Sequence, residues 1–257
     1  MKISVIIPTL NEAGGILPCL HSVKKQPGEV ELVVVDGGSV DGTVETVRPH
    51  ARVIHSERSR AVQMNSGARA STGEVLLFLH GDSCLPPRAF PLLEEALADP
   101  RIVVGTFRLI FNAERFLLRF IAFFSHFKFR YFHYGDQGVF VRRRVFEQLN
   151  GFSEIPFMED VDFLKRLHRI GRVALLDQPI TTSARRFLER GIIRQQLTNV
   201  FLVILYLLGA RPENRKKWYE GPGEGGGSDR RTPALDTLNA QTPELNHERM
   251  NRSKQRG

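Results

Sequence analysis

The sequence of 257 residues has few cysteines and no apolar run long enough to cross a membrane. Cys19 and Cys84 lie far apart and form no paired motif, so we expect neither a disulfide framework nor a zinc site, as in a cytosolic protein. The apolar run at residues 200–208 is far shorter than the roughly 20 residues of a spanning helix. The run at residues 3–10 is interrupted by polar residues and proline, so no cleaved signal peptide is expected.

The sequence also lacks the motifs of nucleic-acid-binding domains, although it is basic. Its formal net charge is +8 and its isoelectric point is about 9.9. Such a charge suits nucleic acid, an anionic membrane surface or a phosphate-bearing ligand. Because no RNP, KH, zinc-finger or helix-turn-helix signature accompanies the charge, we predict no nucleic-acid partner.

The first half of the chain alternates short apolar runs with amphipathic segments. Strands are predicted at residues 3–8, 32–36, 52–55 and 75–79, with helices between them. This βαβα order predicts an α/β fold. The runs are almost entirely apolar, which predicts a doubly wound, mostly parallel sheet flanked by helices on both faces.

The second half is less regular. It predicts strands at residues 102–111 and 138–141, and helices at residues 114–132, 143–149 and 159–171. The composition changes after residue 210 and becomes polar and rich in glycine. Residues 1–210 are therefore predicted to form one domain that ends in a C-terminal helix, and residues 211–257 a basic, disordered tail.

Polar residues follow three of the predicted strands. They are TLNE at residues 9–12, DGGS at residues 36–39 and HGDS at residues 80–83. Ligands of open α/β sheets bind at the carboxyl ends of the strands. These segments therefore predict a single ligand-binding crevice.

Two acidic residues in these segments are candidate ligand-binding groups. Asp36 ends a predicted strand, where its carboxylate can accept a hydrogen bond from a nucleobase or ribose, and the two glycines that follow let the backbone approach the ligand. The alternative is a plain strand-to-helix turn with Asp41 as a cap. Asp82 can hold a divalent cation together with diphosphate oxygens, or it can cap the helix that begins at Pro86 and Pro87.

Three acidic residues lie at the beginning of the predicted helix at residues 159–171: Glu159, Asp160 and Asp162. Acidic residues interact favourably with the dipole at a helix N-terminus, and this explains them without any function. Their position after the other motifs favours a functional interpretation.

The segments SVIIPTLNE, VVVDGGSVDGT, LLFLHGDS and FMEDVDF occur in this order along the chain. Together they resemble the family 2 glycosyltransferases of the GT-A fold, over about residues 2–187. SRAVQMNSGA, YGDQGVFVRR and SARRF are similar to a bacterial subgroup that includes carotenoid-acid glycosyltransferases of the diaponeurosporenoate type. The resemblance implies a metal-dependent glycosyltransferase, with hexosyl transfer from a nucleotide-diphosphate sugar and a UDP-sugar as the family default.

The resemblance also implies roles for individual residues. It makes Asp82 the ligand of a Mn²⁺ or Mg²⁺ ion, and Asp160 the general base with Glu159 beside it. The residues implied at the nucleotide, the diphosphate or the sugar are Pro8, Thr9, Glu12, Asp36, Gly37, Arg60, Gln63, Asn65, Asp136, Gln137, Arg185 and Arg186. For Asp136 and Gln137, a simple turn before a strand is the alternative.

The sequence departs from the family at one motif. His80-Gly81-Asp82 stands where the family has DxD, which leaves one carboxylate near the cation and His80 beside it. The sequence still contains the groups that the implied reaction requires, a metal-binding carboxylate and a general base. Asp160 would deprotonate an acceptor hydroxyl or carboxyl that attacks the anomeric carbon from the face opposite the diphosphate, which gives inversion.

Residues 116–134 contain nine of the 23 aromatic residues of the chain, together with basic residues and no acid. Aromatic residues at helical spacing form part of the core, or they form an interfacial helix or an apolar acceptor channel. Residues 200–208 are likewise apolar and flanked by basic residues. We therefore expect a protein that is peripheral to the cytoplasmic face of the cell membrane, with an apolar or lipid-linked acceptor.

Two other functions are compatible with parts of the sequence. A nucleotidyltransferase shares the sheet and the metal, but the loop PTLNEAGG after the first strand has no lysine or arginine. A non-catalytic nucleotide-sugar-binding partner subunit would explain the altered motif at Asp82. The pair Glu159-Asp160 argues against it, because binding alone does not require a base.

Overall fold

The computed structural model describes residues 1–124, 137–156 and 158–207. Eight strands form one sheet: β1 (Ile3–Thr9), β2 (Val30–Asp36), β3 (Arg52–His55), β4 (Val75–Phe78), β5 (Ser83–Cys84), β6 (Ile102–Phe111), β7 (Val139–Arg142) and β8 (Arg172–Thr182). Their order across the sheet is β3-β2-β1-β4-β7-β6-β8-β5.

The first four strands are parallel, and β7 is inserted antiparallel between β4 and β6. Strand β6 pairs parallel with β8, and the two-residue β5 pairs antiparallel with the end of β8. The predicted α/β sheet is confirmed, with its continuous parallel part confined to β1–β4.

Helices cover both faces of the sheet. They are α1 (Ile16–Lys24), α2 (Thr43–Val47), α3 (Arg60–Ala70), α4 (Ala89–Ala98), α5 (Phe116–Phe124), α6 (Arg143–Gln148), α7 (Glu159–Leu167), α8 (Arg185–Arg190) and α9 (Ile192–Leu207). Successive side chains of a strand point to opposite faces. In β1, accordingly, Val5 and Ile7 pack in a core with α1 and α4, whereas Ile6 packs in a second core with α3 and α7.

The strand β8 has no counterpart among the predicted elements. Its sequence, RVALLDQPITT, contains an acid, an amide and a proline in mid-strand. The pairing with β6 shifts register there: Leu176 lies opposite Phe107, and Pro179 lies opposite Arg108. Asp177 is displaced with the bulge between these pairs, so the apolar pattern of a regular strand is broken.

Some predicted features lie outside the described residues. The predicted helix at residues 114–132 is described only as α5, and residues 125–136, which include Asp136, are outside the described part. The predicted tail at residues 211–257 is also outside it. Among the residues that the structure describes, no helix is both long and apolar enough to cross a membrane.

The strand pairings bring the predicted polar segments to one edge of the sheet. Thr9 lies opposite Asp36, and the last residue of β4, Phe78, lies opposite the first residue of β7, Val139. At the same edge, the end of β8 pairs with β5 through Thr182. The loops after β1, β2, β4 and β8 therefore share this edge with the segment before β7.

Gly105 in β6 packs closely against Phe140 of β7, and a substitution there tests this packing. A methyl group at Gly105 would overlap the ring of Phe140 on the neighbouring β7, and Phe140 is fully buried. Gly105→Ala should therefore lower the free energy of unfolding by about 1–3 kcal/mol in a urea titration, because a closely packed core has no room for the extra carbon. Gly14→Ala is the control, since a methyl group there meets no atom within 4 Å. Equal stability of the two variants would contradict the packing.

Candidate active site

Hydrogen bonds join the loops that follow β1 and β2. The amide N–H of Asn11 donates to Ser39 Oγ at 2.9 Å, and Asn11 Oδ1 accepts from the amide N–H of Val40 at 3.0 Å. The amide N–H of Glu12 donates to Thr43 Oγ1 at 2.8 Å. These bonds hold the two loops together along the edge of the sheet.

Asp36 is buried at the end of β2, and its carboxylate shapes the turn that follows. Oδ2 accepts hydrogen bonds from the amide N–H groups of Gly38 (2.9 Å) and Ser39 (3.0 Å). Burial raises the pKa of Asp36, but the hydrogen bonds from Ser39 and Gly38 outweigh it, so the pKa lies below its ordinary value. Asp41 accepts from the amide N–H of Thr43 at 3.0 Å, at the beginning of α2. Both Asp36 and Asp41 therefore accept backbone hydrogen bonds in the segment between β2 and α2.

Gln63, on α3, connects the ends of β1 and β2. Its Nε2 donates to the backbone oxygens of Thr9 and Val35, each at 2.8 Å. The side chain is buried and lies against Gly37, where a Cβ atom would come within 3.1 Å of Gln63 Nε2. Gln63 therefore links the ends of β1 and β2 to α3 through hydrogen bonds. Pro8 precedes Thr9 in β1 and is half-buried.

Asp82 lies in the loop after β4. Its Oδ1 accepts hydrogen bonds from the hydroxyl groups of Ser83 (3.3 Å) and Thr182 (3.5 Å). The next helix, α4, begins only at Ala89, whose amide N–H donates to Gln26 Oε1 at 2.8 Å. The alternative interpretation, in which Asp82 caps this helix, is therefore wrong.

Thr182 is a site residue that the sequence did not identify. It is the last residue of β8, which was not predicted, and its hydroxyl group also pairs with Ser83 Oγ at 2.9 Å. The available signal was the hydroxyl pair Thr181-Thr182 directly before the segment SARRF.

Glu12 and Arg185 pair across the crevice beside Asp82. Arg185 Nη2 lies 3.0 and 3.2 Å from the two carboxylate oxygens of Glu12. Burial raises the pKa of Glu12, Arg185 opposes that shift, and the neighbouring charge of Asp82 adds to it. Arg186 also acts on Glu12 through its charge. The structure thus brings these four predicted residues together.

The residues near Asp82 allow a test of the predicted metal site. Within residues 1–124, 137–156 and 158–207, no group of three or more His, Cys, Asp or Glu side chains is arranged to hold a metal ion. A divalent cation that binds substrate phosphates needs only one or two protein carboxylates. Asp82, with Glu12 nearby, fits a cation that enters with a diphosphate and does not fit a complete cage of protein ligands.

Helix α7 begins with two buried carboxylates, those of Glu159 and Asp160. Arg60 Nη1, from α3, lies 3.4 Å from Glu159 Oε1. Burial raises the pKa of Glu159; Arg60 opposes this shift, and Asp160 adds to it. His80, in the loop that carries Asp82, also acts on Glu159 through its charge. The beginning of α7 therefore lies within electrostatic range of the loop after β4.

One carboxylate oxygen of Glu159 has an unusual environment. Its Oε1 atom is buried and has no hydrogen-bond partner in the part of the chain that the structure describes. Buried polar atoms are almost always hydrogen-bonded, so this atom needs an explanation, and Arg60 Nη1 at 3.4 Å supplies an ion pair but no hydrogen bond.

The third acidic residue of α7 has a different environment. Asp162 accepts hydrogen bonds from Ser153 Oγ (2.7 Å), Arg166 Nε (2.9 Å) and Tyr206 Oη (3.1 Å). It therefore joins α7 to the preceding loop and to α9. Burial and the charge of Asp162 raise the pKa of Tyr206 to about 12.

Asn65 and Gln137 complete the set of predicted residues in the described part. Asn65 Nδ2 donates to the backbone oxygen of Phe152, and Asn65 Oδ1 accepts from the amide N–H of the same residue, both at 2.9 Å. Gln137 is fully buried two residues before the first residue of β7. The placement of Asp136 lies outside the described residues.

Comparison with known proteins gives partial matches to sugar-transferring proteins. A "PGL/p-HBAD biosynthesis glycosyltransferase" of Mycobacterium bovis is 42% identical over 91 residues, which are 32% of this chain and 36% of that protein. The match therefore spans about a third of the length of this curated relative. The name of the relative refers to PGL/p-HBAD biosynthesis and not to a carotenoid acid.

Two solved structures have similar folds. The mannosyltransferase PcManGT from Pyrobaculum calidifontis, in complex with GDP-Man and Mn²⁺, has a TM-score of 0.54 and 26% identity, with 70% of this chain and 56% of that chain covered. S. aureus TarS, residues 1–349, in complex with UDP-GlcNAc, has a TM-score of 0.56 and 23% identity, with coverage of 71% and 58%. These likenesses confirm the predicted GT-A fold.

The family comparison covers the sheet edge described above. The family "Glycosyl transferase family 2" matches residues 4–149, which include the loops after β1, β2 and β4. The match extends over more than half of the chain. The chain therefore belongs to glycosyl transferase family 2.

Proposed function

We propose that the protein transfers a hexosyl group from a nucleotide-diphosphate sugar to a hydroxyl or carboxyl group of an acceptor. The observation that carries this proposal is the position of the buried pair Glu159–Asp160 beside the loop of Asp82. A metal-binding carboxylate and a general base must both reach the sugar, one near the leaving diphosphate and the other near the acceptor. A protein that only binds nucleotide sugars does not need the second group.

The donor occupies the edge formed by the loops after β1 and β2. Asp36 and Gly37 lie at the nucleoside, with Pro8 and Thr9 beside them at the end of β1. Glu12, Arg185 and Arg186 lie nearer to Asp82, where the diphosphate would bind. PcManGT is described with GDP-Man and TarS with UDP-GlcNAc, so the family likeness supports a nucleotide sugar and leaves a UDP-sugar as our proposal.

Asp82 would hold a Mn²⁺ or Mg²⁺ ion together with the oxygens of the diphosphate. Such an ion stabilises the negative charge that develops on the departing diphosphate. The chain contributes two cationic side chains for the same purpose, Arg185 and Arg186. Arg185 is bonded to Glu12 and half-exposed, so it can turn towards a bound anion.

Asp160 acts as the general base of the reaction. It takes the proton of an acceptor hydroxyl group while the acceptor oxygen forms a bond to the anomeric carbon. An acceptor carboxyl group is already ionised near neutral pH and attacks as the carboxylate. The bond between that carbon and the diphosphate oxygen breaks, and the nucleoside diphosphate leaves. Attack from the opposite face inverts the anomeric configuration. Glu159 lies beside Asp160 in the first turn of α7.

The acceptor is apolar or lipid-linked, and the protein is peripheral to the cytoplasmic face of the membrane. Support comes from an exposed apolar face of α9, whose members are each at least 36% exposed: Ile193, Leu197, Val200, Phe201 and Ile204. Helix α9 contains a basic residue, Arg194, and no acid. Phe116 of α5 is also 85% exposed. Apolar helical faces with basic residues bind anionic bilayers. A carotenoid acid or a polyprenyl phosphate would suit this arrangement.

The metal proposal predicts that donor binding and transfer depend on Asp82. EDTA should abolish transfer, because the diphosphate would then meet the carboxylates of Asp82, Glu12 and Glu159 without a divalent cation. Asp82→Ala should abolish it as well, because the cation loses its protein ligand. Restoring Mn²⁺ should recover activity only in the parent protein, as measured by release of the nucleoside diphosphate. Undiminished transfer by the chelated protein would exclude the metal.

The base proposal predicts a chemical defect in Asp160→Asn. Turnover should fall by roughly 10²-fold or more, the range for loss of a general base, while the Kd of the donor stays nearly constant in calorimetry. Asp177→Asn is a matched control, since Asp177 is 84% exposed and remote from the crevice in β8. Normal turnover of Asp160→Asn would move the base to Glu159. If the parent protein binds the donor but transfers no sugar, the result would favour the non-catalytic alternative.

The membrane proposal predicts salt-sensitive binding to anionic vesicles through α9. Replacing Ile193 and Leu197 together by glutamate should weaken co-sedimentation by about tenfold or more, because apolar burial is lost and charge is added. Ile170→Glu is the control, as Ile170 is exposed to 43% but lies after α7. Binding of the parent protein should decrease with salt. Absence of binding at low salt, with efficient transfer to a water-soluble acceptor, would refute membrane association and leave the transferase proposal intact.

A further inference from the structure

Helix α3 bonds to both sides of the crevice through three side chains. Gln63 holds the ends of β1 and β2 through two hydrogen bonds of 2.8 Å. Arg60 lies beside Glu159 at the beginning of α7. Asn65 bonds to the segment that leads to α7. The family resemblance implies that all three line the nucleotide, yet their bonds connect parts of the protein.

The contact of Asn65 is reciprocal and buried. Its carboxamide both donates to the oxygen and accepts from the amide N–H of Phe152, in the manner of a strand pair, and Nδ2 also lies 3.4 Å from Glu154 Oε1. The side chain is only 6% exposed. Three of the four hydrogen-bonding positions of the carboxamide are therefore occupied within the protein.

Gly151 allows this contact to form. A Cβ atom at Gly151 would lie 2.6 Å from Asn65 Oδ1, and the residue has a φ of +70°, where glycine is favoured. The close approach of the backbone to Asn65 thus depends on the missing side chain.

The segment held by Asn65 is also bonded to α7. Arg166 donates to the backbone oxygens of Leu149 (2.7 Å) and Gly151 (2.8 Å). Asp162 accepts from Ser153 Oγ at 2.7 Å. A shift of this segment would therefore shift α7, which carries Glu159 and Asp160 at its first turn.

We infer that Asn65 is a positioning residue that sets the place of Asp160 relative to the donor-side strand ends. Gln63 fixes α3 to the ends of β1 and β2, and Asn65 fixes the segment before α7 to the same helix two residues later. A small misplacement of a reacting group lowers the rate of a positioned reaction strongly. The inference rests on the proposed function, because it assigns the base to Asp160, and it removes Asn65 from the residues that contact the nucleotide.

Asn65→Ala tests the inference by separating turnover from donor binding. We expect kcat to fall by about tenfold or more, since the base is no longer held in place, while the KM of the donor and the Kd of UDP with Mn²⁺ change less than about twofold. Ser66→Ala is the matched control on the same helix, and it should alter neither quantity. A loss of UDP affinity by about tenfold with normal kcat would show that Asn65 contacts the nucleotide and would overturn the inference, as would unchanged kcat.

Gly151→Ala disrupts the same contact from its other side and guards against a folding defect of Asn65→Ala. It should give the same selective loss of kcat in the protein that remains folded. Hydrogen exchange of the free protein supplies a readout that needs no activity. In both variants, the amide of Phe152 and the first turn of α7 should exchange faster, while β1 and β2 stay protected. Unchanged exchange there would refute the positioning role whether or not the protein transfers sugar.

Discussion

The ends of the parallel strands carry backbone groups that are buried and must be hydrogen-bonded, and the candidate site depends on how this requirement is met. Gln63 donates to the oxygens of Thr9 and Val35, which also accept from the amide N–H of Gly37 and from Thr9 Oγ1, respectively. The carboxylate of Asp36 accepts from the amides of the next turn. A buried group left without a partner costs about 1–3 kcal/mol. The side chains that meet this requirement also fix the loops, so the crevice is shaped before any ligand enters.

The second constraint is the accumulation of carboxylates along one edge. Glu12, Asp82 and Glu159 are partly or fully buried there, and burial raises the pKa of both Glu12 and Glu159. Arg185 and Arg60 offset part of this negative charge. A diphosphate would add to the repulsion, which is the physical reason for proposing that it binds together with a divalent cation.

The family match and the candidate base occupy different parts of the chain. The match ends at residue 149, whereas Glu159 and Asp160 follow it on α7, and the exposed apolar face of α9 follows later still. The matched part contains the loops that we assign to the donor. The assignment of the base therefore rests on the resemblance at FMEDVDF and on where the fold places α7, and the assignment of the acceptor surface rests on α9.

The amino-acid sequence alone determined the α/β class, the positions of β1 to β4, β6 and β7, and the edge at which polar residues gather. These features depend on local patterns, namely apolar runs that end at polar residues and glycine. It did not predict the two-residue β5, nor β8, in which a bulge at Asp177 interrupts the apolar pattern. It gave no contact for Asp162, which joins α7 to the preceding loop and to α9. Only the tertiary structure decided what Gln63 and Asn65 contact. Asn65 and Phe152 are 87 residues apart in the chain, and a side chain that bonds to a distant backbone carries no local signal of its partner, because any backbone amide offers the same groups.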